Sequence, residues 1–322
     1  MNNAEAGAKK MRIGYPCINM TIGCKGNRTF RLKSYSVERL KETVENSLDC
    51  LLRVLRFNEE HNILFFRITS DLVPFASHPV NTFIWQDHFR TKFEEIGDFI
   101  RKSRIRISMH PDQFTLINSV DKDIFKRSCK ELAYHAQILD LMKLDTRAKI
   151  QIHVGGVYKN KEKSMKRFVK RYFQLDSSIQ CRLAVENDDR SYNVADCLKI
   201  SGETGVPILF DVFHHSVNRT DTTVDGALRL SSKTWNYKRD GIPMVDYSSQ
   251  RIGASHRQHA ESIDLGDFRN FLAETSPLNF DIMLEIKDKE KSAIKAIGIA
   301  SDDFRFLNTV GSCRAGVAEK KP

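Results

Sequence analysis

Hydrophobic and polar positions follow a repeating unit along this chain. A short apolar run stops abruptly at an ionisable residue, and a longer stretch follows with apolar residues three or four apart. Residues 105–110 read Ile-Arg-Ile-Ser-Met-His, 149–153 Lys-Ile-Gln-Ile-His and 182–186 Arg-Leu-Ala-Val-Glu. Residues 207–211 read Pro-Ile-Leu-Phe-Asp and 280–285 Phe-Asp-Ile-Met-Leu-Glu. Runs of this kind predict strands buried on both faces. Three further runs, at 11–15, 63–68 and 242–247, complete a set of eight, the last being the least regular.

The intervening stretches carry a helical period. Ser36 is a predicted N-cap ahead of Val37, Leu40, Val44, Leu48, Leu51 and Leu55. Phe89, Phe93, Ile96 and Ile100 mark one face of a second helix, and residues 121–144 form a third. Helices are also predicted near 159–172, 193–203, 223–232, 265–273 and 289–307. Alternating strands and helices imply parallel strands with helical crossovers. Eight such units in 322 residues predict one closed (β/α)8 TIM barrel rather than an open sheet. The barrel should span 11–308, between a flexible N-terminus (1–10) and a flexible tail (309–322).

In such a barrel the strand C-termini share one end, where active sites are built. Tyr15, His110, His153, Glu186, Asp211, Asp246 and Glu285 should therefore converge on one mouth. Clustered carboxylates repel one another unless cations intervene. Mixed imidazole nitrogen and carboxylate oxygen suits manganese, zinc or iron, and the lack of cysteine ligands argues against a structural zinc site. Two or more metals would clamp the attacking and leaving oxygens of a phosphodiester. Sugar isomerisation, hydrolysis of a small molecule and cleavage of nucleic acid all fit such a mouth.

Charge narrows the choice. A formal net charge of +10 favours a nucleic-acid partner over a small sugar. Gln113-Phe114, just past a ligand strand, is a candidate wedge between bases; a loop residue folded back on the rim is the alternative. The basic stretch 159–172 reads as the solvated outer face of a helix, and His135 as a structural histidine. The loop at 19–31, with Lys25, Gly26, Asn27 and Arg28, is a polar turn or a phosphate cradle. Seven scattered cysteines without a Cys-x-x-Cys pair predict reduced thiols and an intracellular, cytoplasmic protein. No membrane-length apolar run or signal peptide is seen, so no membrane partner is expected.

With these residues in view, the chain resembles the UV-damage endonucleases. The matching segments are Gly14-Tyr15-Pro16-Cys17-Ile18-Asn19, Leu55-Arg56-Phe57-Asn58, Pro74-Phe75-Ala76-Ser77-His78-Pro79 and Ser108-Met109-His110-Pro111-Asp112-Gln113. They continue with His153-Val154-Gly155-Gly156, Glu186-Asn187-Asp188, Asp211-Val212-Phe213-His214-His215 and Glu285-Ile286-Lys287. That family is similar to endonuclease IV and to the xylose isomerase-like barrels. The resemblance implies a repair enzyme, expected to be a monomer, acting on damaged double-stranded DNA. It would nick the backbone immediately 5′ of cyclobutane dimers and 6-4 photoproducts, and at abasic sites. It implies two or three divalent ions, typically manganese, with zinc, magnesium and cobalt as alternatives.

Carried over by position, His110, His153 and Glu186 would hold one ion, and Glu186, Asp211 and Glu285 a second. His214 and His259 would belong to a third site, with His256 an alternative to His259. Glu186, Glu285, Asp211 and His214 would form the catalytic set. Tyr15, Asn19, His78, Gln113 and Phe114 would meet the substrate, Phe114 standing where the family has Tyr. Strand seven departs from the pattern. Asp246 replaces a ligand His, and Met244 replaces a lysine that can be carboxylated, so Asp246 is expected to supply a metal ligand. An apurinic-site endonuclease, a sugar isomerase or epimerase, and a non-enzymatic DNA-binding barrel are the competing readings.

Overall fold

The apolar runs become strands whose two faces differ. A computed structural model describes residues 10–218, 220–249 and 258–308. The two terminal segments expected to be flexible, apart from Lys10, lie outside the described residues, and so does His256. Among the described residues, eight parallel strands close into a barrel in sequence order. They are β1 (Ile13–Pro16), β2 (Phe65–Ile68), β3 (Arg106–Met109), β4 (Lys149–His153), β5 (Leu183–Glu186), β6 (Ile208–Asp211), β7 (Met244–Tyr247) and β8 (Asp281–Leu284). The principal crossover helices are α1 (Val37–Glu60), α2 (Arg90–Ser103), α3 (Lys122–Leu141), α4 (Lys161–Tyr172), α5 (Val194–Thr204), α6 (Val224–Ser232) and α7 (Leu265–Glu274). The last helix, α8 (Glu290–Ala300), follows β8. This is the TIM barrel that the periodicity predicts.

Local chemistry sets the helix starts. Ser36 caps α1 by accepting from the Arg39 N–H at 3.2 Å. Asp121 accepts from the first turn of α3, and Asn193 and Asp196 form a reciprocal capping box on α5. The last helix stops at Ala300 instead of reaching 307. The chain beyond it turns back so that Phe306 bridges to Met11 beside β1.

Side chains two apart along a strand share a face. The outward set (Ile107, Ile150, Ile152, Val185, Ile208, Phe210, Val245 and Ile282 among them) packs with the helices in the main core. The inward set is apolar only in the middle of the barrel, where Phe65, Ala184, Leu209, Met244 and Met283 form a separate cluster. Below it lie Arg106, Lys149 and Asp281, all buried at strand N-termini. Above it, on or one residue past the strand C-termini, lie Arg67, His110, His153, Glu186, Asp211, Asp246 and Glu285. The register sets His153 beside Glu186 and Asp211 beside Asp246. Gly14 is required on β1, because a Cβ there would come within 1.7 Å of the Phe65 carbonyl oxygen.

Three sequence expectations change. Cys24 and Cys50 are joined by a disulfide that ties the loop after β1 to α1, where free thiols were expected. That pairing joins residues far apart in sequence, so spacing does not reveal it. The basic helix α4 is not wholly solvated. Arg171 is buried and donates to the Ile117 carbonyl at 2.9 Å and to that of Ser119, while Arg167 donates to Asn118 at 2.6 Å. The strands expected to be apolar on both faces face a largely polar barrel interior. No described helix is long and apolar enough to cross a membrane.

Candidate metal centre

Seven inward side chains meet at the mouth, and Glu186 lies at their centre. It is 1% exposed, so its charge needs partners. His110 Nε2 is 3.4 Å from one carboxylate oxygen, and His153 Nε2 and His214 Nδ1 are 3.9 and 3.3 Å from the other. Asp211 ends β6 and caps the short helix Val212–Val217, accepting from the His214 N–H at 2.6 Å. That cap brings the His214 ring back over the mouth, 3.6 Å from Asp211.

Three overlapping groups have donor atoms within 4.8 Å of one another: His110, His153 and Glu186; Glu186, Asp211 and His214; and Asp211, Asp246 and Glu285. Glu186 and Asp211 are each shared by two groups. Glu285 therefore falls with Asp246, and His214 with Glu186, a different division from the one the resemblance implies. His259 approaches Glu285 at 3.8 Å and its ring lies 6.4 Å from that of His214, but it joins none of these groups.

Two residues that the sequence reading passed over complete the mouth. Arg67, on β2, is 3% exposed. Its Nη2 donates to both oxygens of Asp246 at 2.7 Å, and its Nη1 donates to Glu285. Gln151, on β4, donates through Nε2 to Glu186 at 2.8 Å and to Asp246 at 2.7 Å. Both sit in phase with known mouth residues, two positions from an inward neighbour on the same strand. That phase was a readable signal in Phe-Phe-Arg-Ile and Lys-Ile-Gln-Ile-His.

These contacts set the electrostatics. Burial opposes the charge on Glu186, but His153, His110 and His214 outweigh it and hold its carboxyl well below the usual range. Burial raises Asp211 to about 7, with Glu186 and Glu285 adding to the rise and His214 opposing it. Burial likewise raises Asp246 despite Arg67. Glu285 goes the other way: Arg67 overcomes burial and brings it to about 2.

The donor set fits divalent ions. Four carboxylates face the Arg67 guanidinium and the His214 ring, where burial opposes the charge but Asp211 and Glu186 raise the pKa to about 11, so divalent ions would stand in for a proton as well as neutralise charge. His110 has the pattern of a metal-bound imidazole, with Nδ1 2.6 Å from the Pro111 carbonyl and Nε2 turned to Glu186, whereas the Nδ1 atoms of His153 and His259 are buried without a hydrogen-bond partner. In the second group His214 Nδ1 also lies 3.0 Å from the Asn187 carbonyl. In the third, Arg67 already lies against Asp246 and Glu285.

The remaining predicted contacts divide: three stand on exposed loops, while Tyr15, expected at the mouth, turns outward from β1 into the core shared with the helices. Phe114 stands on the loop after β3 and is 72% exposed. Gln113 beside it and His78 on the neighbouring loop are also exposed. Tyr15 is fully buried. Its hydroxyl donates to Asn58 at 2.7 Å and accepts from Asn19 at 2.9 Å.

The sequence profile described as UV-endonuclease UvdE matches residues 11–313. This chain belongs to the UV-endonuclease family. A UV DNA damage endonuclease from Clostridium perfringens (strain 13 / Type A) is 38% identical over 300 residues, covering 93% of this chain and 73% of the relative. The solved structure of SacUVDE superposes with a TM-score of 0.87 at 43% identity, covering 91% of this chain and 98% of that one. Endonuclease IV from Thermus thermophilus shares the fold alone, with a TM-score of 0.55, 14% identity, and coverage of 78% and 93%. Within this UV-endonuclease, strand seven departs from the pattern that the resemblance implies, as Phe114 does. Met244 lies in the apolar middle layer of the barrel, and Asp246 sits against a fixed cation.

Proposed function

We propose that this UV-endonuclease nicks damaged double-stranded DNA immediately 5′ of cyclobutane dimers and 6-4 photoproducts, and at abasic sites. The observation that carries this reading is the set of three overlapping donor groups sharing Glu186 and Asp211. His110, His153 and Glu186 would hold one divalent ion, and Glu186, Asp211 and His214 a second. Manganese suits this oxygen-rich set with imidazoles. Such ions would supply Lewis-acid stabilisation and an activated water for in-line attack on the phosphorus.

The chain's own residues do the rest. Gln151 fixes the rotamers of Glu186 and Asp246 by donating to both. Arg67 holds Glu285 ionised and turned into the mouth. Phe114, exposed on the rim, fills the gap left when a lesion is pushed out, and Gln113 contacts the opposite bases. A damaged step unstacks more cheaply than intact duplex, which supplies part of the selectivity.

The test uses labelled duplexes carrying one photodimer, one abasic site, or no lesion, each incubated with protein and manganese. A single cut 5′ of the dimer is expected. Cutting confined to the abasic duplex would move the assignment to an apurinic-site enzyme. Turnover of a free ketose without any nicking would overturn the DNA reading.

A further inference from the structure

At the opposite end of the barrel, a cavity of about 510 Å3 opens among the strand N-termini. We propose that it binds a nucleoside phosphate, at a site separate from the metal centre. Its walls are basic: Arg12, Arg101, Arg104, Arg106, Lys143 and Arg147 all line it.

The charges there do not balance. Arg12 and Arg106 share the single carboxylate of Asp281, at 3.5 and 2.7 Å. Arg101 pairs with Asp98, Lys143 with Glu94 at 3.1 Å, and Arg147 with Asp145. Arg104 has no carboxylate partner among the described residues. Six cations thus meet four carboxylates, leaving two positive charges, the complement of a phosphate dianion. The excess continues next door, where the one carboxylate of Asp240 serves both Lys149 and Arg239.

Arg106 adds buried positive charge to the wall. Arg106 is 8% exposed, and its terminal nitrogens are used on the carbonyls of Ile242 and Asp240 and on Asp281. Its Nε is buried without any hydrogen-bond partner. That buried charge keeps this end of the barrel positive. Burial pushes this guanidinium down, and Arg12 and Arg147 push it further against the pull of Asp281, so an anion here relieves repulsion already present.

The size and rim fit a nucleotide rather than a bare phosphate. Small-molecule sites typically run from roughly 300 to 1,000 Å3. Tyr237 lines the cavity and is 37% exposed, offering an aromatic ring at the rim for a base.

The test is equilibrium binding of ADP, of pyrophosphate and of a short undamaged duplex, each to the full chain loaded with manganese. Hydrogen exchange localises the bound probe. ADP should bind saturably and slow exchange in residues 103–107 and 143–148. Arg104→Ala with Arg147→Ala, both exposed, should weaken ADP at least about tenfold, while nicking of damaged duplex stays unchanged. Arg147→Glu alone should weaken ADP in the same direction. Lack of ADP binding at millimolar concentration would overturn the proposal, as would protection confined to the metal mouth. Loss of duplex binding alone in the double variant would assign the cavity to a DNA backbone and sink the nucleotide reading.

Discussion

Arg67 decides how much of the charge at the mouth is left for metals. It neutralises one of four carboxylates and takes both oxygens of Asp246. Asp246→Asn should therefore act first on stability, because breaking a buried ion pair costs about 3–5 kcal/mol. Chemical denaturation of the metal-free variant measures this, and an unchanged midpoint would mean that Glu285 alone satisfies Arg67. Glu186→Gln has a different signature. It keeps the side chain's size but removes the charge shared by two donor groups. Nicking should collapse, with bound manganese reduced and binding of damaged duplex much less affected. Near-normal cleavage at full metal content would take Glu186 out of the chemistry. The run-ending His, Asp and Glu residues were legible because a charge that closes an apolar run must meet solvent or a partner at an open strand end. Arg67 and Gln151 were not, because they lie inside runs read as uniformly apolar. Only the two-residue phase of the strand separates them from their outward neighbours.

Among the elements, the loop after β3 is shaped by a helix that contributes nothing to the mouth itself. Arg167 and Arg171 of α4 are four residues apart and so share a face. From there they hold the carbonyls of Ile117, Asn118 and Ser119. Composition alone made α4 look solvated, because its lysines are. The two arginines instead point inward and fasten the loop by its backbone. At the tip, the Phe114 N–H is bound by Asp112 Oδ1 at 2.8 Å, which leaves the ring projecting into solvent. Gln113→Ala with Phe114→Ala should lower affinity for damaged duplex and leave metal content alone. Base–aromatic stacking is worth about 1–3 kcal/mol, so the aromatic change should cost roughly tenfold. Equal discrimination between damaged and intact duplex before and after the change would refute the wedge.

At the scale of the whole molecule, the eightfold alternation was legible because each crossover helix keeps one apolar stripe toward the sheet. The disulfide and the charged lower end of the barrel interior, with Arg106, Lys149 and Asp281, were not, since both depend on neighbours brought together by closure. One buried group reports on the integrity of the helical layer. His135, on α3, is fully buried, with Nδ1 2.7 Å from the Glu131 carbonyl, and burial lowers it from 6.5 to about 4. The unfolded chain binds this proton more readily than the folded one across that interval. Stability should therefore fall as pH drops from about 6.5 toward 4, by up to about 3 kcal/mol from this group. His135→Leu should flatten that part of the pH dependence relative to the unaltered protein in denaturant melts. An identical slope in both would show that His135 is not the group responsible.

The stacked layers of the barrel interior also fix an order of assembly. The mouth presents four carboxylates against one guanidinium and the His214 ring, and a duplex arrives as a polyanion. Cations at the donor groups make that approach more favourable. On the proposed function, metal loading should therefore strengthen DNA docking as well as support cutting. Damaged-duplex affinity should rise when manganese is restored to chelator-treated protein, even in a Glu285→Gln variant, which on the proposed function should not complete the reaction. Equal affinity with and without the metal would show that duplex binds elsewhere on the basic surface. A cell short of the metal would then hold this protein idle and only loosely seated on lesions that it cannot cut.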